Sequence, residues 1–247
     1  MRDRVDILGV LVDKVAQKEA LNRVKSFIDS KDSHIIVTPN AEMIIRAHQD
    51  EELRRILNSA DLVIPDGTGV VLASKLLGNS LTERVTGIDL VKELLEIGSK
   101  VGYNFYFLGG APKVAQEAKA KVKEKYPNLD IRTHHGYLDR ALEAKVLEEL
   151  ENTKVDILLV GMGVPLQEKW LDKHLANLEI PVGIGVGGTF DILAGKKKRA
   201  PKMIQNFHLE WLYRLLQEPK RLGRMSALPQ FIYEIFQEKL KKLNKLK

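Results

Sequence analysis

Leu62-Val63-Ile64-Pro65-Asp66-Gly67-Thr68-Gly69 is the stretch of sequence that decides the fold. Its apolar start predicts a short buried strand, and Pro65 and Gly67 predict a tight turn that presents the Asp66 carboxylate, followed by a helix over 70–77. Open α/β sheets bind their ligands at the carboxyl ends of their strands. We therefore expect Asp66 to take part in chemistry. The alternative is that Asp66 only caps the following helix, a position that Asp favours.

Strand patterns and helix patterns alternate on both sides of this stretch. The strands are predicted over 5–12, 34–38, 62–64, 104–108, 129–133, 155–160 and 182–186. Several of them are apolar on both faces, as strands of a parallel sheet covered by helices are. We predict an α/β fold, a Rossmann-like and mostly parallel sheet with helices on both faces, as a catalytic domain over 1–195.

The last part of the chain differs from the rest in charge. Residues 192–247 contain 14 Lys and Arg against 4 Asp and Glu, whereas the remaining residues contain 25 basic and 29 acidic groups. Helical patterns separated by Pro219 and Pro229 predict a basic helical C-terminal appendage over 196–247, which is typical of proteins that bind an anionic partner. Its last helix carries an apolar stripe beside lysines, which fits a helix at a membrane surface, a dimer helix or a core helix.

Composition excludes several classes of protein. The chain has no cysteine, so it forms no disulfide and uses no thiolate. No stretch approaches the ~18 apolar residues of a membrane-spanning helix. The N-terminus does not have the apolar core of a signal peptide, so we expect a cytoplasmic protein.

Small or polar residues collect where five of the predicted strands end. These clusters are Thr38-Pro39-Asn40, Asp66-Gly67-Thr68-Gly69, Gly109-Gly110, Gly161-Met162-Gly163 and Gly187-Gly188-Thr189-Phe190-Asp191. In a parallel sheet they share one edge, and together they predict a crevice of nucleotide size in which backbone N–H groups approach a diphosphate. Asp191 would accept hydrogen bonds from ribose hydroxyls, or would only cap a helix.

Motifs that would indicate other nucleotide chemistry are missing. The sequence has no G-x-G-x-x-G fingerprint for NAD and no P-loop. It has no Asp-x-Asp pair for Mg²⁺ or Mn²⁺ and no histidine spacing typical of a metal site, so we predict no metal and no cofactor. The charge of a leaving group must then be met by Arg, Lys or backbone N–H groups.

Several further polar residues have both a functional and an ordinary explanation. Arg84 would hold a phosphate or a sugar acetamido group, or would form a solvated salt bridge. Gln167 would reach a sugar hydroxyl over the sheet edge, or would serve only the helix end. Arg221 and Arg224, spaced i and i+3, would share a helix face suited to phosphate, or would form a solvated basic face.

Taken together and in this order, the motifs resemble the WecG/TagA/CpsF glycosyltransferases over essentially the whole chain. The resemblance is carried by Thr38-Pro39-Asn40, Pro65-Asp66-Gly67-Thr68-Gly69, Arg84-Val85-Thr86-Gly87-Ile88-Asp89-Leu90, Phe107-Leu108-Gly109-Gly110, Gly161-Met162-Gly163-Val164-Pro165-Leu166-Gln167-Glu168, Gly185-Val186-Gly187-Gly188-Thr189-Phe190-Asp191 and Arg199-Ala200-Pro201. The tail, with Leu209-Glu210-Trp211-Leu212-Tyr213-Arg214 and Glu218-Pro219-Lys220-Arg221, is similar to the family's C-terminal appendage. One departure is Lys113, where a glycine is expected.

The resemblance implies an inverting, metal-independent transfer of N-acetylmannosamine from UDP to the 4-hydroxyl of N-acetylglucosamine on undecaprenyl diphosphate, in the synthesis of the wall teichoic acid linkage unit. Asp66 would be the general base. Thr38, Asn40, Arg84 and Gln167 would position the sugars, the first two beside Asp66 as catalytic residues. The implied UDP pocket comprises Gly109, Gly110, Tyr137, Gly187 and Asp191. Arg214, Arg221 and Arg224 would hold the lipid diphosphate, and the basic appendage would bind the inner face of the bacterial cell membrane.

Two other functions compete with this one. A related enzyme would use another donor, such as UDP-glucose or UDP-ManNAcA, in surface polysaccharide synthesis. A protein of a different class would be a nucleotide-binding regulator whose basic tail binds nucleic acid, but the tail carries no recognised nucleic-acid motif, so we expect no nucleic-acid partner. The sequence leaves open whether the chain forms a homo-oligomer.

Overall fold

The computed structural model describes residues 2–30, 32–207, 210–217 and 227–244, and within these ranges it leaves out the side chains of Asn206 and Arg214. The strands are β1 (Arg4–Ile7), β2 (Val10–Asp13), β3 (His34–Val37), β4 (Leu62–Val63), β5 (Asn104–Gly109), β6 (Asp130–His134), β7 (Ile157–Gly161) and β8 (Val182–Gly185). The helices are α1 (Gln17–Ile28), α2 (Ala41–Gln49), α3 (Glu51–Ser59), α4 (Thr68–Leu76), α5 (Gly87–Val101), α6 (Val114–Lys125), α7 (Arg140–Glu151), α8 (Leu166–His174), α9 (Thr189–Leu193), α10 (Lys202–Asn206), α11 (Glu210–Gln217) and α12 (Ala227–Asn244).

Six strands form one parallel sheet in the order β4-β3-β8-β7-β5-β6. Successive side chains of β5 enter different cores: Phe105 and Phe107 pack with α1, α5 and α6, whereas Tyr106 and Leu108 pack with α7 and α8. Because neighbouring residues of a strand point to opposite faces, helices cover both faces of the sheet. The predicted α/β, Rossmann-like fold is confirmed.

The first strand prediction is wrong in one respect. Residues 5–12 were expected to form a single strand, but they form most of an antiparallel hairpin, β1 and β2, in which Leu8 and Gly9 make the turn with φ of 54° and 85°. Both strands alternate in burial as the pattern predicts, because a tight turn conserves the apolar face. A two-residue reversal inside an apolar run leaves little trace in periodicity.

The hairpin holds the strand that leads to Asp66. Asp13 is fully buried, forms a salt bridge with Arg2, and accepts a hydrogen bond from the backbone N–H of Val63 at 2.8 Å. Arg4 and Arg23 lie within 3.6 and 3.8 Å of the same carboxylate. This buried carboxylate therefore connects β2 to β4, in the segment that leads to Asp66.

The C-terminal segment is helical where the structure describes it. Helix α12 packs against α2 and α4, and its Phe231 and Ile235 are buried in the same core as the β1–β2 hairpin. None of the helices formed by the described residues is long and apolar enough to cross a membrane. The predicted division of the chain near residue 195 stays a prediction.

Candidate active site

Asp66 lies in a turn that is fixed by backbone hydrogen bonds. The Ile64 N–H donates to Val37 of β3 at 2.9 Å, and the Val85 N–H donates to the Pro65 carbonyl at 3.2 Å. The N-cap of α4 is Gly67, without a side-chain cap, so Asp66 is not the cap of the helix that follows it. Its Oδ2 instead accepts from the Gly87 N–H at 3.3 Å, at the first turn of α5.

Thr38 and Asn40 lie beside this turn, as the sequence predicts. The Thr38 hydroxyl donates to the Gly185 carbonyl at 3.3 Å and joins the ends of β3 and β8. Asn40 caps α2 by accepting from the Met43 N–H at 2.9 Å. A Cβ on Gly87 would lie 3.1 Å from the Thr38 side chain and 3.6 Å from the Asp66 carboxylate, so glycine allows the three residues to approach one another. The group predicted to be catalytic is therefore brought together.

Arg84 lies between two carboxylates. Its guanidinium is 2.7 Å from Glu210 Oε2 on α11 and 3.8 Å from Asp66 Oδ1. Its side chain is 22% exposed and that of Glu210 is 7% exposed, so this is a partly buried ion pair rather than a solvated one. The pair places α11 directly beside the Asp66 turn.

A second ion pair lies at the start of α5. Arg199 forms a bidentate pair with Asp89, with one N–O distance of 2.7 Å, and Asp89 also accepts from the Thr86 hydroxyl at 2.5 Å. Burial by itself would raise the pKa of Asp89, but the hydrogen bonds from Arg199 and Thr86 outweigh it and lower that pKa. The hydrogen bond to Asp89 likewise raises the pKa of Arg199. The pair therefore stays charged and fixes the Lys196–Arg199 turn over the site.

A small cleft of about 90 Å³ opens between these groups. Asp66 and Ile88 line it together with residues of the β8–α9 turn and a run of cations. The lining residues are Asp66, Ile88, Val186, Gly188, Thr189, Ile192, Lys197, Lys198, Arg199 and Gln217. The enclosed volume is smaller than a nucleotide, so a nucleotide sugar would extend out over the neighbouring glycine loops.

The glycine loops after β5, β7 and β8 are packed closely against one another. A Cβ on Gly109 would lie 2.5 Å from the Gly161 carbonyl oxygen, and Gly109 has φ of 153°, so only glycine fits there. The Gly110 N–H donates to Gly161 at 3.0 Å. Gly187 turns with φ of 51° and has open space where a Cβ would be, on the ligand side of the strand ends.

Gln167 joins two of these loops from below. Its Oε1 accepts from the N–H of Gly163 at 3.2 Å and of Gly187 at 3.0 Å, and its Nε2 donates to Glu168 at 2.7 Å. The side chain is 1% exposed. In this structure Gln167 positions the loops, and its contact with a sugar hydroxyl stays a prediction.

Asp191 and Tyr137 occupy different parts of the sheet edge. Asp191 is in the first turn of α9, and its carboxylate pairs with Lys197 at 3.1 Å. Tyr137 follows β6 and is 70% exposed. Its neighbour Gly136 donates its N–H to Gly110 at 3.0 Å, and a Cβ on Gly136 would lie 3.0 Å from Gly109. Tyr137 therefore follows a loop that packs against the glycines at the end of β5.

Lys113, the departure from the expected glycine, is the N-cap of α6 and has φ of 73°. This left-handed backbone explains why glycine is expected there, because a Cβ is disfavoured in it. The three arginines predicted to bind the lipid diphosphate are not placed: Arg221 and Arg224 lie outside the described residues, as does the side chain of Arg214.

Sequence reasoning missed five residues that the structure brings to the cleft or beside it: Asp89, Lys197, Lys198, Arg199 and Glu210. Asp89 and Arg199 belong to quoted motifs, but no signal showed that they pair across 110 residues. Among the described residues, no group of three or more His, Asp or Glu is arranged to hold a metal ion.

A carboxylate and a set of cations around one cleft, at the carboxyl ends of parallel strands, define an α/β protein built for group transfer from an anionic leaving group. Comparison with known proteins makes this class more specific. The profile of the glycosyl transferase WecG/TagA/CpsF family matches residues 5–245. The chain belongs to this family and is a glycosyltransferase.

Named relatives cover nearly the full length of the chain. The chain is 37% identical over 240 residues to a protein of Staphylococcus aureus strain MRSA252, an alignment that covers 96% of this chain and 94% of the relative. It is 36% identical, with the same coverage, to the corresponding protein of strain MW2. Both relatives are named N-acetylglucosaminyldiphosphoundecaprenol N-acetyl-beta-D-mannosaminyltransferase.

Proposed function

We propose that this chain transfers N-acetylmannosamine from UDP to the 4-hydroxyl of N-acetylglucosaminyl-diphospho-undecaprenol, with inversion and without a metal. The observation that carries the proposal is the position of Asp66, at the end of β4, in a cleft that Lys197, Lys198 and Arg199 also line. The names of the relatives supply the acceptor and the transferred sugar. Such a reaction belongs to wall teichoic acid linkage-unit synthesis.

In this reaction Asp66 is the general base. The acceptor hydroxyl oxygen attacks the anomeric carbon of the donor, the bond from that carbon to the diphosphate breaks, and the hydroxyl proton passes to the Asp66 carboxylate. A positioned base of this kind contributes roughly 10²–10⁴ in rate. Thr38 and Asn40, which lie against the same turn, orient the acceptor sugar beside it.

The UDP leaving group gains negative charge as the bond breaks. Lys197, Lys198 and Arg199 line the same cleft as Asp66. These donors stabilise the charge without a metal ion. The nucleotide then extends along the strand ends over Gly187, Gly110 and Gly109 toward Tyr137.

The protein works at the inner face of the membrane, where its lipid-linked acceptor is found. The 14 basic residues of 192–247 attract anionic lipids, each at about 1 kcal/mol near the surface. Exposed apolar side chains of α12, among them Tyr233, Leu240 and Leu243, lie on the same helix as its lysines. This arrangement suits a peripheral contact.

Transfer assays with Asp66→Asn test the proposal. The assay uses UDP-N-acetylmannosamine and a short-chain N-acetylglucosaminyl diphospholipid in EDTA. We expect wild-type protein to turn over and Asp66→Asn to lose two or more decades in kcat while it still binds UDP, because the amide cannot take the proton. Asp50→Asn is the matched control, since Asp50 caps α3 away from the cleft and Asn caps equally well.

Each other result has a defined meaning. Full activity in Asp66→Asn would show that the carboxylate is scaffold. Wild-type turnover with UDP-glucose or UDP-ManNAcA, but not with UDP-N-acetylmannosamine, would keep the reaction class and change the donor. A requirement for added Mg²⁺ or Mn²⁺ would overturn the metal-independent mechanism.

A further inference from the structure

An apolar groove of about 660 Å³ runs between α4, α11 and α12. Its walls include Leu72 and Leu76 of α4, Trp211 of α11, and Phe231, Ile232 and Phe236 of α12. Four of these side chains are strongly exposed: Leu72 at 49%, Trp211 at 45%, Ile232 at 55% and Phe236 at 51%. The groove is therefore an open apolar surface, in a size range typical of ligand sites, and not a gap in the core.

One end of the groove joins the Asp66 turn. Thr68 and Gly69, the first residues of α4, line it. A Cβ on Gly69 would lie 3.7 Å from Ala41 and 3.9 Å from Phe231, so α12 reaches the segment that carries Asp66. The groove thus begins where the candidate active site ends.

The order of groups along this surface matches the order of groups in the proposed acceptor. The acceptor has a sugar hydroxyl, then a diphosphate, then a polyprenyl chain. The protein has the Asp66 carboxylate, then the amino end of α4, which favours an anion, and then the apolar groove. A free nucleotide or a sugar would have no group to place in the groove.

The size of the groove fits part of the lipid. At about 30 Å³ for a carbon with its hydrogens, close to the volume of a water molecule in the liquid, 660 Å³ has room for roughly twenty carbons, or about four isoprene units. The remaining units of an undecaprenyl chain would stay in the bilayer. Because burying apolar surface is favourable, such a contact would stabilise the bound acceptor.

We propose that the groove between α4, α11 and α12 binds the isoprene units nearest the diphosphate of the acceptor. This inference rests on the proposed function for the identity of the acceptor. The groove selects a lipid-linked acceptor over a water-soluble one and aims its sugar at Asp66.

Fluorescence of Trp211 tests the proposal directly. The chain has two tryptophans; Trp170 is 7% exposed in α8, whereas Trp211 lines the groove. The full-length protein is titrated with farnesyl diphosphate, and separately with inorganic pyrophosphate. We expect farnesyl diphosphate to bind at least tenfold more tightly than pyrophosphate and to change the Trp211 emission.

Two matched double variants locate the binding. Leu72→Gln with Leu76→Gln makes the groove wall polar, and these residues are 49% and 41% exposed. Leu240→Gln with Leu243→Gln makes the same change on α12 outside the groove, at 53% and 50% exposure. We expect the first double variant to lower the affinity for farnesyl diphosphate at least tenfold and to leave the affinity for pyrophosphate unchanged. We expect the second double variant to change neither affinity by more than twofold. All four side chains are half-exposed, so the variants keep the fold, which circular dichroism checks.

The possible failures can be told apart. The proposal is wrong if farnesyl diphosphate binds no more tightly than pyrophosphate, or if both double variants lose the same affinity for farnesyl diphosphate. It is also wrong if the first double variant binds farnesyl diphosphate as wild type does but changes its sedimentation, because the groove would then be a contact with a second copy of the chain. If the first double variant binds phosphatidylglycerol vesicles more weakly but binds farnesyl diphosphate as wild type does, the groove contacts bilayer lipid and not the acceptor. If no UDP-sugar supports transfer but farnesyl diphosphate binds as expected, the proposed reaction is wrong and the proposed prenyl site is still supported.

Discussion

Glu168 is a carboxyl group that the protein buries completely. One oxygen accepts from Gln167 at 2.7 Å, and the other has no hydrogen-bond partner among the residues that the structure describes. Burial raises the pKa of Glu168 to about 7, although the hydrogen bond from Gln167 opposes the rise. A Cβ on Gly185 would lie 3.1 Å from this carboxyl, so Glu168 sits directly under the strand end that Thr38 also contacts.

Substituting Glu168→Gln should therefore change how stability depends on pH. The folded state holds the Glu168 proton more tightly than the unfolded state, so wild-type stability falls as pH rises from about 4.5 to about 7. Gln keeps an acceptor for Gln167 and carries no charge. The quantity to compare is the free energy of unfolding of the variant minus that of wild type. We expect this difference to be larger at pH 8 than at pH 4 by roughly 3 kcal/mol.

Urea unfolding at the two pH values measures this difference. Glu148→Gln, at an exposed position of α7, provides the same chemical change in a carboxyl group that the fold does not bury. An equal difference between variant and wild type at pH 4 and pH 8 would show that the pKa of Glu168 is the same in the folded and unfolded states, so that burial does not raise it.

At the level of elements, an ion pair joins α11 to the segment that follows α4. Arg84 follows α4 and Glu210 begins α11, and their charged groups are 2.7 Å apart in a partly buried setting. The same guanidinium lies 3.8 Å from Asp66. Arg84 therefore connects the catalytic turn to the C-terminal helices, and a ligand anion at Arg84 would alter both contacts.

A double-mutant cycle of Arg84→Ala and Glu210→Ala should show this coupling. Hydrogen exchange of the α11 amides gives the free energy of local opening. We expect each single variant to lower this free energy of opening, and the double variant to lower it no further than either single variant does. The coupling energy should be about 2 kcal/mol, as for a partly buried hydrogen bond between charged groups.

The exposed pair Glu238 and Lys242, 2.9 Å apart within α12, is the control cycle. A surface pair of this kind should give a coupling below about 0.5 kcal/mol. Additive effects at Arg84 and Glu210 would mean that packing, and not the ion pair, positions α11.

For the whole molecule, the decisive feature is that α12 has two different faces. Phe231 and Ile235 enter the core beside α2 and α4, while Tyr233, Leu240 and Leu243 of the same helix remain exposed. The charge of the chain is concentrated in this same C-terminal segment. Packing against α2 and α4 therefore holds the exposed apolar and basic side chains of α12 in a fixed orientation.

Removing three lysines from this face should weaken binding to anionic membranes. The triple variant Lys239→Gln, Lys241→Gln and Lys242→Gln loses three charges worth about 1 kcal/mol each, so we expect partitioning onto phosphatidylglycerol vesicles to fall about 100-fold at low salt. Vesicle sedimentation measures it, and 0.5 M NaCl should abolish most of the difference.

The comparison variant removes the same number of charges from the body. Lys119→Gln, Lys121→Gln and Lys123→Gln lie on α6, away from α12. Similar losses in the two triple variants would show that net charge alone, and not the C-terminal face, drives membrane binding.

The sequence by itself determined the α/β class, nearly all of the strand ends and the residues that gather at them. It could do so because parallel strands buried on both faces are continuously apolar, and because turn residues such as Gly109 and Asp66 mark where each strand stops. Thr38, Asn40 and Asp66 are close in space because β3 and β4 are neighbours, which the structure showed.

Only the tertiary structure decided which groups pair across the chain. Arg199 meets Asp89, and Arg84 meets Glu210, through contacts that span more than a hundred residues, and local periodicity carries no information on such pairs. The β1–β2 hairpin, the buried carboxyl of Glu168 and the groove beside α4 arise in the same way. Each depends on which surfaces face one another once the helices pack, a property of the folded chain and not of any one segment.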